Sequence, residues 1–316
     1  MRHRIEYFIV RFLIGVMRIT PDWLVRATGT VVGLMFYVVD GAHRRIAERN
    51  LATAFPRRSP RERRAIARAA FAHFGRILLE LLKFSTLSSD GMLARVEFDG
   101  EERVRAAYAQ GRGVLFVTGH FGFWELHALV HALRVEPIAV LARALDNPYL
   151  NTTLEEIRER TGNTVLYRKG TIRRVMRTLD ANHGVAVLID QHIMGRDAVY
   201  VDFFEQPAAT TSAVAALALR TGAVVVPVFA LPIGGGRYRM IYEHPVEPPR
   251  QRGDQPDADR EADRIRDFTQ RCTDVLEMYV RRHPELWLWM HRRWRDTEPA
   301  ADSVPGMFPA AERDTD

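Results

Sequence analysis

The chain has a single cysteine, Cys272, in 316 residues. It has no internal disulfide partner and no second thiolate for a cysteine zinc site. A secreted disulfide scaffold is therefore excluded, and a reducing compartment is expected. Lysine is nearly absent, at Lys83 and Lys169 alone, so arginine carries the positive charge. Glycine and proline, at 21 and 16 residues, are too few for a collagen-like or low-complexity chain. No internal repeat is evident. What is present, 47% hydrophobic and 27% charged residues, suits a protein with a substantial buried core.

The net charge of +6 is unevenly placed. Residues 1–76 carry 15 arginines against five acids (Glu6, Asp22, Asp40, Glu48, Glu62), which leaves the remainder slightly acidic. A basic end implies an anionic partner: nucleic acid, anionic lipid or an acidic protein. The segment Ile5 to Ile19 is almost wholly apolar apart from its charges, and Arg4, Arg11 and Arg18 recur every seven residues as a narrow helical stripe. Arg11 interrupts the apolar core that a signal peptide needs. The charge-free stretch Ala27 to Val39 is well short of the roughly 20 residues that cross a bilayer. Residues 5–39 therefore read as helices lying in a membrane interface, with arginine heads reaching the head groups. The alternatives are a pair of ordinary buried helices, or a spanning helix with Arg11 at its boundary. Nucleic acid is disfavoured, because the arginines are interleaved with apolar residues and no groove-reading motif accompanies them.

From Ser59 onward the chain reads as an α/β unit. Ser59 as cap and Pro60 at the first helical position open a long helix to about Phe84. Apolar runs then alternate with helical stretches. Strands are expected at Val96–Phe98, Gly113–Thr118, Ile138–Ala142, Thr164–Tyr167, Val185–Ile189 and Ala223–Leu231, with Tyr238–Glu243 at an antiparallel edge. Helices are expected near 150–161, 171–182, 211–221 and 261–282, with a loop over 248–263. Such alternation predicts a single α/β domain with a central, mostly parallel sheet flanked by helices. The expected organisation is membrane-associating helices over 1–40, the main domain over 41–296 and a disordered tail over 297–316.

The chemistry gathers in Thr118-Gly-His-Phe-Gly-Phe-Trp-Glu-Leu-His127, where the first long buried strand ends. Ligands of open α/β sheets collect at the carboxyl ends of strands. On one helix His120 and Glu125 would lie roughly 140° apart and could not meet. With His120 in the turn, freed by Gly119 and Gly122, and Glu125 in the first helical turn, they can. His120 would then act as general base and Glu125 would fix its tautomer, with no serine or cysteine nucleophile required. The bland alternative is a histidine capping a helix and a glutamate on a solvated face. A metal hydrolase is a rival class, since His127 and His131 have the i, i+4 spacing of zinc ligands and could join His120. Glu125, however, does not complete a His-Glu-x-x-His motif.

The His-x4-Glu of His120 and Glu125 is one of several ordered blocks. The others are Arg143 in Leu-Ala-Arg-Ala-Leu-Asp-Asn-Pro-Tyr, Arg168-Lys-Gly, Ile189-Asp-Gln191, Val201-Asp-Phe-Phe204, Pro207-Ala-Ala-Thr210 and His283-Pro-Glu-Leu-Trp-Leu-Trp-Met-His-Arg-Arg-Trp294. Together they resemble the bacterial lipid A biosynthesis acyltransferases and their phosphatidylinositol mannoside and glycerolipid acyltransferase relatives, over about residues 5–296. The resemblance implies a glycerolipid acyltransferase-like fold at the cytoplasmic face of the inner membrane. It also implies acyl transfer from an acyl carrier protein or coenzyme A thioester to a lipid hydroxyl, a lipid A precursor first among the acceptors. No cofactor, no metal and no covalent enzyme intermediate are implied. By position, His120 and Glu125 would be catalytic. Arg143, Arg168, Asp190, Gln191, Phe203 and Phe204 would contact substrate: Arg143 at a phosphate or the thioester carbonyl oxygen, Asp190 as an orienting group, and the phenylalanines in a groove unless they simply fill the core. Trp287, Trp289 and Trp294 suit either a membrane interface or a packed C-terminal clasp, with the clasp favoured.

Overall fold

A computed structural model describes residues 1–167, 171–195, 197–250 and 258–295. Four helices lead the chain: α1 (Arg2–Ile19), α2 (Asp22–Val39), α3 (Gly41–Ala54) and α4 (Pro60–Phe84). The start of α4 is fixed by a capping box. Ser59 accepts from the Glu62 N–H, and the Glu62 carboxylate accepts in return from the Ser59 N–H at 2.7 Å. A short α5 (Ser89–Leu93) leads into β1 (Val96–Asp99), α6 (Glu101–Tyr108), β2 (Val114–Thr118), α7 (Trp124–Arg134), β3 (Ile138–Ala142), α8 (Pro148–Glu159) and β4 (Thr164–Tyr167). The remainder is α9 (Ile172–Asp180), β5 (Gly184–Leu188), β6 (Ala198–Phe203), β7 (Gln206–Thr211), α10 (Ala213–Thr221), β8 (Val224–Gly234), β9 (Arg237–Tyr242) and α11 (Ala258–Arg282).

Seven strands form one sheet in the order β1-β9-β8-β2-β5-β3-β4. All neighbours are parallel except β8 and β9, so the mostly parallel sheet is as expected. β2, buried at all five positions, lies at its centre between β5 and β8. One expectation fails here. β9 is antiparallel to β8 but is not the edge, because β1 pairs on its far side. The loop expected over 248–263 is also shorter: residues 251–257 lie outside the described residues, and α11 has begun by Ala258. The expected tail over 297–316 lies outside them too. β6 and β7 form a separate antiparallel hairpin packed on α11.

The N-terminal helices are present and largely uncovered. α2 rests on α4 where three glycines allow backbone contact. A Cβ on Gly33 would come 2.1 Å from the Phe71 carbonyl oxygen, and one on Gly75 would come 2.1 Å from that of Gly29. Lys83 of α4 donates to the carbonyls of Met17 at 2.8 Å and Thr20 at 2.9 Å, placing a cation at the negative end of α1. Away from α4 the two helices expose Phe8, Phe12, Trp23, Val31, Met35, Val38 and Val39. By length and apolarity, α2 is the one helix among the described residues that could cross a membrane.

Three buried histidines make the fold acid-sensitive. Burial pulls His127 down to about 3 and His73 to about 4 from the ordinary 6.5, and His131 well below it. As pH falls below 6.5 the unfolded chain therefore takes up protons that the folded chain refuses. This contribution to stability is complete above that value and declines toward pH 3. At pH 5 His127 alone removes about 2 kcal/mol relative to neutral pH. His127→Leu, close in volume and untitratable, is expected to flatten the fall of melting temperature between pH 6.5 and 5. An unchanged slope would show that other groups govern acid unfolding.

Candidate active site

β2 and β5 are parallel neighbours, paired from Val114 with Gly184 to Thr118 with Leu188. Their carboxyl ends therefore deliver residues just after 118 and just after 188 to the same place. The first is His120 and the second Asp190. His120 Nδ1 lies 2.8 Å from Asp190 Oδ1, and the His120 backbone N–H donates to Asp190 Oδ2 at 2.7 Å. The Trp287 indole N–H donates to the same Oδ2 at 2.8 Å. Asp190 is buried, whereas the His120 side chain keeps 18% of its surface exposed and so remains reachable. Burial alone would raise the Asp190 carboxyl; the charge of His120, its ring and backbone N–H groups and the Trp287 indole outweigh burial and hold it down at about 2. A carboxylate on Nδ1 fixes the proton there and leaves Nε2 as the basic nitrogen.

The turn carrying His120 is built by close approaches. At Gly119 a Cβ would come 3.0 Å from Asp190 Oδ2, so the missing side chain is what lets the carboxylate reach the turn. Gly122 adopts φ +58, and a Cβ there would meet the Ala230 carbonyl oxygen at 2.1 Å. The Phe123 N–H donates to that carbonyl at 2.9 Å, and His73 of α4 donates from Nε2 to the Gly122 carbonyl at 3.1 Å.

His120 does stand in the turn and Glu125 in the first turn of α7, as expected, but the hydrogen bond expected between them is not made. The carboxylate on the imidazole is Asp190. Glu125 is instead clamped by Arg158 of α8, whose Nε and terminal nitrogen donate at 2.9 and 2.6 Å. The physical reason is reach. A carboxylate at the end of the neighbouring strand meets the turn head-on, while Glu125 points across to a bidentate guanidinium. Burial would raise Glu125; the charge and hydrogen bonds of Arg158 first, and the charge of His120 second, reverse that and keep it ionised. Trp124 walls the imidazole, with ring centroids 5.2 Å apart.

The other expected site residues divide. Gln191 belongs to the site, with its Nε2 3.4 Å from His120 Nε2. Arg143 is exposed just beyond β3, the strand next to β5, so it lies at the same end of the sheet. Arg168 lies outside the described residues. Phe203 and Phe204 require correction. They are 0% and 3% exposed and line no groove. Phe203 packs on Trp287 and Trp294, and Phe204 on Phe55 and Trp289. The cause is the β6–β7 turn, in which Phe204 and Glu205 both take positive φ (57 and 61), turning Phe204 inward. The three-histidine set also fails. His127 and His131 face the core around Phe116, and His131 Nδ1 is hydrogen-bonded to the Tyr242 hydroxyl at 2.8 Å. Among the described residues no group of three side chains is placed to hold a metal ion. Arg158 and Trp287 are the site residues that sequence reasoning did not place. Nothing in the sequence marks Arg158, whereas Trp287 stood in the C-terminal block.

Fold and site together define an α/β protein with a histidine–carboxylate pair at the carboxyl ends of adjacent parallel strands. Comparison with known proteins gives the family. Residues 1–296 match the bacterial lipid A biosynthesis acyltransferases. The chain is 30% identical to the lipid A biosynthesis lauroyltransferase of Escherichia coli K12 over 268 residues, 84% of this chain and 82% of that protein. It is 24% identical to the palmitoleoyltransferase of the same organism over 94% of each chain. It is also 24% identical to a phosphatidylinositol mannoside acyltransferase of Mycobacterium tuberculosis H37Rv, over 72% of this chain and 69% of that one. The chain belongs to the bacterial lipid A biosynthesis acyltransferase family and is an acyltransferase.

Proposed function

We propose that this enzyme transfers a fatty acyl group from an acyl carrier protein or coenzyme A thioester to a hydroxyl of a lipid A precursor, at the cytoplasmic face of the inner membrane. The observation that carries the mechanism is the 2.8 Å contact of His120 Nδ1 with Asp190 at the strand ends. His120 Nε2 takes the proton of the acceptor hydroxyl, and the oxygen attacks the thioester carbonyl carbon. The C–O bond forms, the C–S bond breaks, and the imidazolium returns the proton to the departing thiolate. Asp190 holds the tautomer and stabilises the transient imidazolium. Gln191 Nε2 lies 3.4 Å from His120 Nε2 and yields that position to the hydroxyl. Glu125, held ionised by Arg158, is a second negative charge beside the imidazole. Arg143 and Arg168 are assigned to the phosphate groups or to the carbonyl oxygen as it gains charge. The acidic carrier suits the arginine-rich N-terminal third. No nucleic acid, metal or cofactor enters this scheme.

The domain reading that goes with it assigns residues 1–40 to membrane attachment and 41–296 to catalysis. The support is the uncovered apolar face of α1 and α2. Phe8, Phe12, Trp23 and Val38 are each about 70% exposed, so replacing all four by serine removes membrane-facing area without opening the α2–α4 contact. Each large apolar side chain contributes roughly 1.5–3 kcal/mol when buried. The quadruple variant is expected to leave anionic vesicles in a flotation assay while keeping its melting temperature. A variant that stays on salt-washed vesicles would overturn the attachment face.

The acceptor is tested by mass spectrometry of total lipids with and without the gene. A lipid A species lighter by one acyl chain is the expected result. Unchanged lipid A beside a missing chain on a phospholipid, ornithine lipid or mannolipid would replace the acceptor and keep the chemistry.

A further inference from the structure

The C-terminal segment that follows α11 does not merely close the fold. A 3-10 turn at Pro284–Leu286 brings the chain back across the sheet end, and Trp287 forms an antiparallel bridge with Phe121. The Leu288 N–H donates to the His120 carbonyl at 3.0 Å, and the Gly122 N–H donates to the Leu286 carbonyl at 2.9 Å. The segment therefore pairs, strand-like, with the turn that carries the imidazole. Its side chains reach the other half of the pair. The Trp287 indole N–H meets Asp190 Oδ2 at 2.8 Å, and His291 Nε2 accepts from the His192 N–H, two residues beyond Asp190, at 3.0 Å. The segment is itself pinned. Asn50 of α3 donates to the Trp289 and His291 carbonyls, both at 2.7 Å, and the buried Arg293 donates to the Ala209 carbonyl at 2.6 Å.

We propose that Trp287, through its indole N–H, is a positioning residue of the active site that sets the His120–Asp190 pair. This rests on the general-base reading of His120. Trp287 is 1% exposed and packs on Phe203 and Trp289, so the ring cannot turn away from the carboxylate without repacking its surroundings. Asp190 Oδ2 then has two donors, the His120 backbone and the indole, leaving Oδ1 for the imidazole. Taking the indole N–H away rotates the carboxylate and concentrates its charge on the side facing His120. The imidazolium becomes easier to form and harder to discharge.

The test replaces Trp287 with phenylalanine and, in parallel, with 3-benzothienylalanine, which keeps the bicyclic shape and lacks only the N–H. Should the phenylalanine variant fold poorly, the isosteric one still decides. Trp289→Phe is the control, because its indole donates to the Pro284 carbonyl and not to the pair. Loss of one hydrogen bond to a charged group predicts a fall in kcat of about 10- to 100-fold with KM unchanged. The acid limb of kcat/KM should move to higher pH, and carbethoxylation of His120, followed by peptide mass spectrometry, should need higher pH by the same amount. Trp289→Phe should lower thermal stability and leave both pH curves in place. Trp287 variants whose pH curves coincide with those of wild type and Trp289→Phe would overturn the proposal. Carbethoxylation requires no turnover, so the two readings fail separately. A shifted curve in an enzyme that keeps full activity as His120→Ala would remove the general base and leave the positioning intact.

Discussion

His120→Ala is expected to lower turnover by about 10²- to 10⁴-fold, the usual cost of losing a general base. The melting temperature should fall modestly at neutral pH. The side chain is partly exposed, and its removal leaves the Asp190 carboxylate still bonded to the residue 120 backbone N–H and to Trp287. The difference from wild type should close in acid. In the wild type Asp190 is held at about 2 against an ordinary 3.8, so the folded state gains roughly 2 kcal/mol that is fully present well above pH 4. That contribution disappears as pH falls through 2. The charge of His120 is the largest of the effects lowering this carboxyl, so the variant should retain only part of it. A His120→Ala enzyme with full turnover would end the general-base assignment, whatever its stability.

Much of this arrangement was legible in the sequence. The continuous apolar run Val114–Thr118 could only be a buried parallel strand, and glycines at 119 and 122 required a turn after it, so the location of His120 followed from residue types alone. What could not be read was the strand order. Asp190 meets His120 because β5 lies next to β2, a pairing across 70 residues that neither strand's own pattern encodes. Within the turn the nearer acid, Glu125, was the only partner visible to local reasoning, whereas the true neighbour came from the adjacent strand. Arg158 was invisible for the same reason: it is one arginine among many on an amphipathic helix until α8 is laid against α7.

The aromatic residues illustrate a different limit. Phe203 and Phe204 lie beside a block that the resemblance assigns to substrate, and nothing local distinguishes a groove wall from a core plug. The two-residue turn with positive φ at Phe204 and Glu205 decides it, and neither residue signals such a turn, which ordinarily takes asparagine or glycine. The tryptophan block was legible as a clasp because three indoles within eight residues have to be buried somewhere. That the clasp bonds to the catalytic turn depends on where α11 ends.

Glu125→Ala should act through Arg158, and the result separates two roles for this glutamate. The ion pair is mostly buried, with 16% of the Glu125 side chain and 13% of the Arg158 side chain exposed. Removing the carboxylate leaves a guanidinium in a poorly hydrated site. Breaking such a pair from one side costs about 3–5 kcal/mol, the lower end applying here because each partner keeps some access to water. Urea unfolding of Glu125→Ala is thus expected to show a loss of about 3 kcal/mol. Arg158→Met should lose a comparable amount, since it leaves a carboxylate beside His120 without its counter-charge. The double variant Glu125→Ala/Arg158→Met removes both charges and should recover most of the loss, giving a strong positive coupling in the cycle. Activity then decides the role. If Glu125 serves only to hold Arg158, the double variant regains stability and turnover together. If its charge beside the imidazole matters to proton transfer, stability returns and turnover does not. A double variant no more stable than either single one would show that the clamp is not what the carboxylate contributes to the fold.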